Sequence, residues 1–153
     1  MITQYIFMTE EASMEEFLNI FLLRTYPHVN RIIIAHEGKQ DLEKSIQRKI
    51  GGWRDTAETS FKFIIIRDKD FGHCIEIKEH LLDLSIKAGR NDSVVIIAVH
   101  ELESWFLGDL AAIEAAYQVK NLSKKQNTRK YRNPDHLANP SLELHKITNH
   151  SAK

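Results

Sequence analysis

Four short apolar runs divide the chain, and each ends abruptly at charged or polar residues. The runs cover Gln4–Thr9, Arg31–Ala35, Phe61–Ile66 and Val94–Val99, and they are rich in β-branched and aromatic side chains. Runs of this length and composition predict β-strands. The third and fourth are hydrophobic almost throughout, which is typical of strands buried on both faces of a parallel sheet.

Between and after these runs, apolar residues recur at the spacing of one helix face. The stripes predict four helices, and they include Leu18 and Leu22, Leu42 and Ile46, Ile77 and Leu81, and Phe106 and Leu110. The last stripe predicts one continuous helix from Glu101 to Tyr117. Strands and helices alternate four times, which predicts an α/β fold: a three-layer α/β/α sandwich around a central, mostly parallel four-stranded sheet.

The character of the chain changes beyond Val119. Five basic residues lie between positions 124 and 132, Pro134 and Pro140 follow, and the apolar periodicity is weak. This composition is typical of loops. We therefore expect an α/β domain over residues 1–120 and a basic, loop-rich C-terminal segment over residues 121–153, packed on or trailing from the same domain.

Composition narrows the choice of partner and compartment. The 153 residues are 42% hydrophobic and 27% charged, as in an ordinary globular domain, and 21 basic residues balance 21 acidic ones. Any binding to nucleic acid must therefore be local. The single cysteine allows no internal disulfide, and no signal-peptide pattern opens the chain, so we expect a cytoplasmic protein. No apolar run approaches the roughly 20 residues that cross a bilayer, so we expect no membrane partner.

The strongest candidate for chemistry is the sequence Asp68-Lys69-Asp70, directly after the third apolar run. In an extended chain, residues two apart point to the same side, so both carboxylates can face one ion. Two such ligands suffice for Mg²⁺, or for Mn²⁺, because these ions keep several waters and complete their shell with substrate phosphate. The alternative is a surface turn that happens to be rich in acids.

Other acids also follow the predicted strands. Ligands of open α/β sheets bind at the carboxyl ends of the strands. Carboxylates that cluster there repel one another unless a cation neutralises them, so such acids are candidates for a metal site. The acids in such positions are Glu10, Glu11, Glu37, Glu101 and Glu103, and Asp109 shares a helix face with Glu101. For those that open helices the structural alternative is a favourable interaction with the helix dipole.

Several other polar or aromatic residues have ordinary alternatives. His36, His73 and His100 lie near strand ends, and we expect exposed or hydrogen-bonded loop residues rather than metal ligands. Trp53 and Trp105 lie in or beside apolar stripes, so we expect them to pack rather than to stack on bases. The basic residues Lys39, Arg48, Lys49, Arg54 and Lys69 are candidates for phosphate contacts or for a solvated surface.

The order of strands and acids resembles a Toprim domain, the metal-dependent catalytic fold of topoisomerases, primases and overcoming-lysogenization-defect-type nucleases. More closely, the chain resembles a bacterial Toprim-like family of unknown function. The matching stretches are residues 10–14, 36–42, 68–70 with Cys74, 100–109, and 131–135, which reads Tyr-Arg-Asn-Pro-Asp. Of these, the stretch 100–109 and the stretch 131–135 are far more specific than the acid pairs.

The resemblance implies a role for each candidate. Glu10 corresponds to the Toprim glutamate, a general acid or base that also approaches the metal, and Asp68 and Asp70 to the magnesium pair. The resemblance leaves Glu11, Glu37, Glu101, Glu103 and Asp109 as candidates for a second shell or a second metal, and Lys39 and Lys69 for phosphate contacts. Met14 departs from the pattern, since Toprim nucleases often have another acid at that place.

The function implied is Mg²⁺-dependent cleavage of phosphodiester bonds in DNA or RNA. The same kinship implies a component of a bacterial anti-phage defence system that works beside an ATPase partner. A homo-oligomer is a separate expectation. The first alternative is a non-catalytic Toprim-like binding or regulatory subunit, which the zero net charge and Met14 favour. A second alternative, a phosphoacceptor receiver domain, agrees less well with the sequence, because the acids lack a receiver's arrangement and no lysine follows a fifth strand.

Overall fold

The computed structural model describes residues 1–149 and contains one four-stranded sheet. The strands are β1 (Ile2–Thr9), β2 (Arg31–Ala35), β3 (Thr59–Asp68) and β4 (Val94–Ala98), in the order β2-β1-β3-β4. The sheet is all parallel, so the predicted mostly parallel sheet is confirmed. In register, Ile6 of β1 lies between Ile32 of β2 and Phe63 of β3.

Helices connect the strands and follow the last one. They are α1 (Ala12–Thr25), α2 (Lys39–Lys49), α3 (Cys74–Lys87), α4 (Glu103–Phe106), α5 (Leu110–Tyr117) and α6 (Pro140–Asn149). Short 3-10 turns cover Ile50–Gly52, Ser123–Lys125 and Pro134–His136. None of the described helices combines the length and apolar character that crossing a bilayer requires.

The chain divides into two compact units. The first, here called the sheet unit, comprises Met1–Arg67 and Gly72–Ile97. The second, here called the helical unit, comprises Asp68–Phe71 and the chain from Ala98 onward. The boundary that the sequence suggests, between residues 120 and 121, falls inside the helical unit.

The core of the sheet unit follows from the alternation of side chains along the strands. Alternate residues such as Ile6 and Met8 of β1 and Phe63 of β3 are almost fully buried, and they pack in one cluster with Leu42 of α2 and Leu81 of α3. Because successive strand residues point to opposite faces, the remaining strand residues face the other layer. Helix α1, which buries Met14, Leu18 and Leu22, contacts β1 and β2 there. The predicted three-layer arrangement is confirmed.

The helical unit has a separate, smaller core. It consists of Leu107, Leu110, Ile113, Leu122 and Tyr131, and residues of α6 pack against it. Residues 121–139 contain only two 3-10 turns, whereas α6 is a helix that the sequence analysis did not anticipate.

The predicted continuous helix from Glu101 to Tyr117 is wrong. Two helices, α4 and α5, replace it, and the break lies at residues 107–109. Asp109 is the N-cap of α5, where its Oδ1 accepts a hydrogen bond from the Ala112 amide at 2.9 Å. This bond satisfies one of the amides that a helix start leaves free, so a new helix can begin here at little cost.

A buried carboxylate joins α6 to the loop before it. Glu143 is only 9% exposed, and its Oε1 accepts hydrogen bonds of 2.6 Å from the Tyr131 hydroxyl and from the Lys130 ammonium. Burial acts to raise the pKa of Glu143, but these two bonds outweigh it and hold the pKa below its ordinary value. Burial, together with the bond to Glu143, raises the pKa of the Tyr131 hydroxyl. Glu143 is therefore ionised at neutral pH, and its buried negative charge is balanced by the Lys130 ammonium and the Tyr131 hydroxyl.

Candidate functional site

The Asp68-Lys69-Asp70 segment begins at the carboxyl end of β3 and belongs to the helical unit. Asp68 is the last residue of β3. The Lys69 amide donates to the Ala98 carbonyl at 2.8 Å, and the Asp70 amide donates to the His100 carbonyl at 3.0 Å. The backbone that presents both carboxylates is thus fixed by the residues that follow β4.

The conformation of this segment changes at Asp70. Asp70 has φ of 50° and His100 has φ of 63°, both in the left-handed region that most residues avoid. The chain is therefore extended only as far as Lys69. The expectation that the Asp68 and Asp70 carboxylates point to the same side assumed an extended chain at Asp70 as well. Asp68 and Lys69 are partly exposed and Asp70 is exposed, so a ligand in solvent can reach them. Unusual backbone at accessible polar residues is frequent in functional sites.

The other predicted acids of the helical unit occupy helix starts. Glu101 accepts through Oε2 from the Ser141 amide, 2.9 Å away, in the first turn of α6. Asp109 caps α5, and Glu103 lies in the first turn of α4. The structural alternative for these acids, stabilisation of helix N-termini, thus accounts for their positions.

In the sheet unit, Glu10 belongs to a network of charges that the sequence analysis missed. Glu10 Oε2 lies 3.6 Å from Arg67 Nε, and both side chains are about nine-tenths buried. Arg67 Nη1 donates to Glu43 Oε1 at 2.9 Å, and Glu43 Oε2 lies 3.3 Å from His80 Nε2. We call these four residues the Arg67 cluster. A buried carboxylate needs such a partner, because an unpaired charge in the interior is costly.

Arg67 could have been singled out from the sequence. It is a charged residue at the end of an otherwise apolar run, immediately before Asp68. A charge in that position needs a partner. Its partners are Glu10, directly after β1, and Glu43 of α2, so the pairing itself depends on tertiary packing that periodicity does not reveal.

His36, at the end of β2, is held beside the end of β1. It is 7% exposed, and its Nδ1 lies 2.8 Å from the Thr9 carbonyl. Because a carbonyl only accepts, Nδ1 is the donor, and in the neutral ring Nε2 carries the lone pair. Nε2 is buried and has no hydrogen-bond partner within residues 1–149. The expectation of a hydrogen-bonded loop histidine is confirmed, and the ring offers one proton acceptor.

The remaining candidates of the sheet unit are solvent-facing. Glu11 is exposed at the N-cap of α1 and makes no side-chain cap bond. Glu37 is exposed, and its backbone amide donates to Asp41 Oδ2 at 3.2 Å. Lys39 is the exposed first residue of α2, next to Gly38, whose φ of 93° favours glycine. The Gly38 amide donates to the Glu10 carbonyl at 3.0 Å, which joins the start of α2 to the end of β1.

A shared metal centre of three or more ligands is not formed by the acids and histidines of residues 1–149. What the structure provides is the pair Asp68 and Asp70 in the helical unit and the Arg67 cluster with His36 in the sheet unit.

Comparison with known proteins places the chain in a family without assigning it an activity. No curated protein and no solved structure matches it significantly. One family model, described as a domain of unknown function (DUF4276), matches residues 9–151. That description names no fold family, so it supports the expected unknown-function family and not the Toprim kinship. Since the match spans nearly the whole sequence, the chain belongs to the DUF4276 family.

Proposed function

We propose that this chain is a Mg²⁺-dependent phosphodiesterase that cleaves DNA or RNA. In this proposal Asp68 and Asp70 are the metal ligands and Glu10 activates the nucleophile. The observation that supports it is the anchoring of the Asp68-Lys69-Asp70 backbone by the bonds to Ala98 and His100, at 2.8 and 3.0 Å. A ligand pair held in this way loses little conformational entropy when an ion binds.

The available donors suit Mg²⁺ or Mn²⁺ better than other common metals. Two aspartates offer hard oxygen donors, which Mg²⁺ and Mn²⁺ prefer to sulfur ligands. Mg²⁺ needs only one or two carboxylates, because waters and substrate phosphates complete its shell. When bound, the ion would polarise the scissile phosphate and stabilise charge on the leaving oxygen.

Two side chains of the sheet unit are candidates for handling the proton of the nucleophile. The first is the Glu10 carboxyl group, whose Oε2 lies 3.6 Å from Arg67 Nε. The buried Nε2 of His36 is the second acceptor. The role of Glu10 comes from the Toprim resemblance, and that of His36 from its hydrogen bonding. Lys69, next to both aspartates in the chain, would contact substrate phosphate.

The test is turnover of single- and double-stranded DNA and RNA with Mg²⁺, with Mn²⁺ and with EDTA. We expect cleavage of at least one substrate with metal, and a loss of about a hundredfold or more in kcat for Asp68→Ala and Asp70→Asn. Asp83→Asn, on the exposed face of α3, is the matched control and should retain full activity. Absence of cleavage in all four substrates, or full activity of Asp68→Ala, would contradict the proposal.

A non-catalytic binding subunit is the second candidate. The observation that favours it is the use of Glu101 and Asp109 to bind backbone amides, which leaves few carboxylates for metal. Titration calorimetry with Mg²⁺ and Mn²⁺ separates the two. Metal binding that is lost in Asp70→Asn supports the phosphodiesterase, whereas no binding by the wild type supports the subunit.

The biological setting of the proposal follows from the resemblance. We propose action within a bacterial anti-phage defence system, in the cytoplasm, beside an ATPase partner or as a homo-oligomer. Light scattering of the purified chain tests self-association. Co-purification of an ATPase with the tagged chain tests the partner.

A further inference from the structure

A second candidate site lies in the sheet unit and shares no residue with the proposed metal site. Six residues line an open cleft of about 590 Å³: Arg48, Lys49, Gly52, Trp53, Arg54 and Phe61. We call it the basic-aromatic cleft. Its volume is within the range of small-molecule sites, about 300–1,000 Å³. It combines three cationic side chains with two aromatic rings, and no acid lines it.

The three cations are available to a ligand. Arg48, Lys49 and Arg54 are exposed, and none of them makes an ion pair or side-chain hydrogen bond with any other residue among 1–149. Arg48 and Lys49 lie in the last turn of α2, where basic residues interact well with the helix dipole. That effect does not account for Arg54, which lies beyond the 3-10 turn at Ile50–Gly52. Three unpaired cations around one cleft indicate an anionic ligand.

The nearest acid along the chain is already neutralised. Asp55 accepts hydrogen bonds from Arg90 Nη2 at 2.8 Å and from the Phe61 amide at 3.0 Å. The bond from Arg90 is the main cause that lowers the pKa of Asp55. The charge of Asp55 is therefore matched by that of Arg90, and the charges of the three lining cations remain uncompensated.

The aromatic wall of the cleft is held in place. The Trp53 and Phe61 rings meet edge to face, with centroids 5.0 Å apart and planes at 67°. Both rings are partly buried against the core of the sheet unit. The Trp53 carbonyl accepts a hydrogen bond from Arg90, and its amide donates to the Ile50 carbonyl at 3.2 Å. A fixed, partly exposed indole beside several cations is the arrangement that binds a base and its phosphate.

We infer that the basic-aromatic cleft binds a nucleotide unit, with its phosphate at Arg48, Lys49 and Arg54 and its base against Trp53. The unit is either a free mononucleotide or part of a single strand. This inference extends beyond the proposed metal chemistry, since none of the six lining residues belongs to it. It also explains how a chain with zero net charge can hold a polyanion through one local surface.

The test is binding measured in EDTA, so that its outcome is independent of metal-dependent cleavage. Fluorescence anisotropy of a short labelled oligodeoxythymidylate is followed at several salt concentrations, with adenosine monophosphate and inorganic phosphate as competitors. We expect saturable binding by the wild type. Arg54→Gln and Arg48→Gln should each weaken it about fivefold or more and reduce the salt slope by about 0.7. Trp53→Leu should weaken it about tenfold.

Lys78→Gln is the matched control, because Lys78 is exposed on α3 and does not line the cleft. It should bind as the wild type does. Competition by adenosine monophosphate identifies a mononucleotide site, whereas binding of the strand alone identifies nucleotides within a chain. Because Arg48 and Arg54 are exposed, the arginine variants should fold normally. They therefore still test the inference if Trp53→Leu fails to fold. No saturable binding, an equal loss in Lys78→Gln, or equal competition by inorganic phosphate would overturn the inference.

Discussion

The sheet unit and the helical unit are stabilised in different ways. In the sheet unit, buried aliphatic and aromatic residues alternate along the strands and pack against α2 and α3. In the helical unit the apolar core is small, and polar side chains bind backbone groups at the ends of short helices. Gln126 illustrates this. Its side-chain oxygen accepts a hydrogen bond from the backbone amide of Leu110 at 2.6 Å. Its side-chain nitrogen donates to the carbonyls of Leu107 and Tyr131, at 3.3 and 3.0 Å.

The difference shows which parts of a structure a sequence pattern can reveal. Burial on a strand or helix face repeats with a fixed period, so it is visible in the sequence. A side chain that bonds to a distant amide has no period. If apolar packing dominates the stability of the sheet unit and side-chain-to-backbone bonding that of the helical unit, substitutions of the two kinds should have different effects in the two units.

The largest effect should follow loss of packing in the sheet unit. Phe63 is 1% exposed, so Phe63→Ala should lower the free energy of unfolding by about 3–5 kcal/mol, because it removes apolar contacts and leaves a cavity. Urea denaturation followed by circular dichroism measures this. Phe71→Ala is the matched control: Phe71 is 98% exposed, and its loss should change stability by about 0.5 kcal/mol at most. Similar effects of the two substitutions would contradict the description of the core.

The next largest effect should follow loss of the Gln126 side chain. Gln126→Ala leaves the Leu110 amide and two carbonyls without their partner, and we expect a cost of about 2–3 kcal/mol. Hydrogen exchange with mass spectrometry should show faster exchange in residues 107–131. The exposed Gln47 of α2 provides the control, and Gln47→Ala should leave these rates unchanged. Unchanged exchange in Gln126→Ala would remove the main support for polar stabilisation of the helical unit.

A pH dependence should follow from Glu143. Its pKa is lowered below the ordinary 4.5 in the folded state, since the bonds from Lys130 and Tyr131 outweigh burial. The carboxylate therefore adds stability above pH 4.5, and this contribution is lost as the pH falls through the lowered folded-state pKa. We therefore expect the free energy of unfolding to fall on the acid side as Glu143 takes up a proton.

Melting temperatures of the wild type and Glu143→Gln, measured between pH 3 and pH 6, test this effect. The substitution should remove part of the acid-side slope. Glu79→Gln, at an exposed site on α3, should leave the slope intact. If both variants follow the wild-type curve, Glu143 does not contribute to acid sensitivity.

The smallest effect compares two acids at N-cap positions, one in each unit. Asp109 caps α5 through its side chain, whereas Glu11 at the start of α1 does not. Asp109→Ala should cost about 1 kcal/mol and Asp109→Asn much less, because asparagine caps as well as aspartate. Glu11→Ala should change stability by a few tenths of a kcal/mol. Chemical denaturation of the three variants would expose any reversal of this order.

The success of sequence-based prediction varied with the type of interaction. The bounds of β2, Arg31–Ala35, follow from its apolar run and polar flanks. The break between α4 and α5 was missed because Phe106 and Leu110 keep helical spacing across it. The signals that could have revealed it were Gly108, a poor helix former, and Asp109, a good N-cap.

The candidate site could be predicted only in part. The alternation of strands and helices was enough to place Asp68 and Asp70 at a strand end. The Arg67 cluster was not predictable, since Glu43 and His80 come from α2 and α3 and their meeting depends on how those helices pack. The left-handed backbone at Asp70 was also missed, because an aspartate is compatible with several conformations.

The lengths of the four strands have a consequence for solubility. The two edge strands, β2 and β4, have five residues each, whereas the inner strands β1 and β3 have eight and ten. An edge strand offers unpaired amides and carbonyls to which another chain can add, and that hazard grows with its length. Because the long strands occupy the inner positions of the sheet, only the two short edge strands offer backbone groups for pairing with another chain. Concentrated samples of the native chain should therefore resist fibril formation.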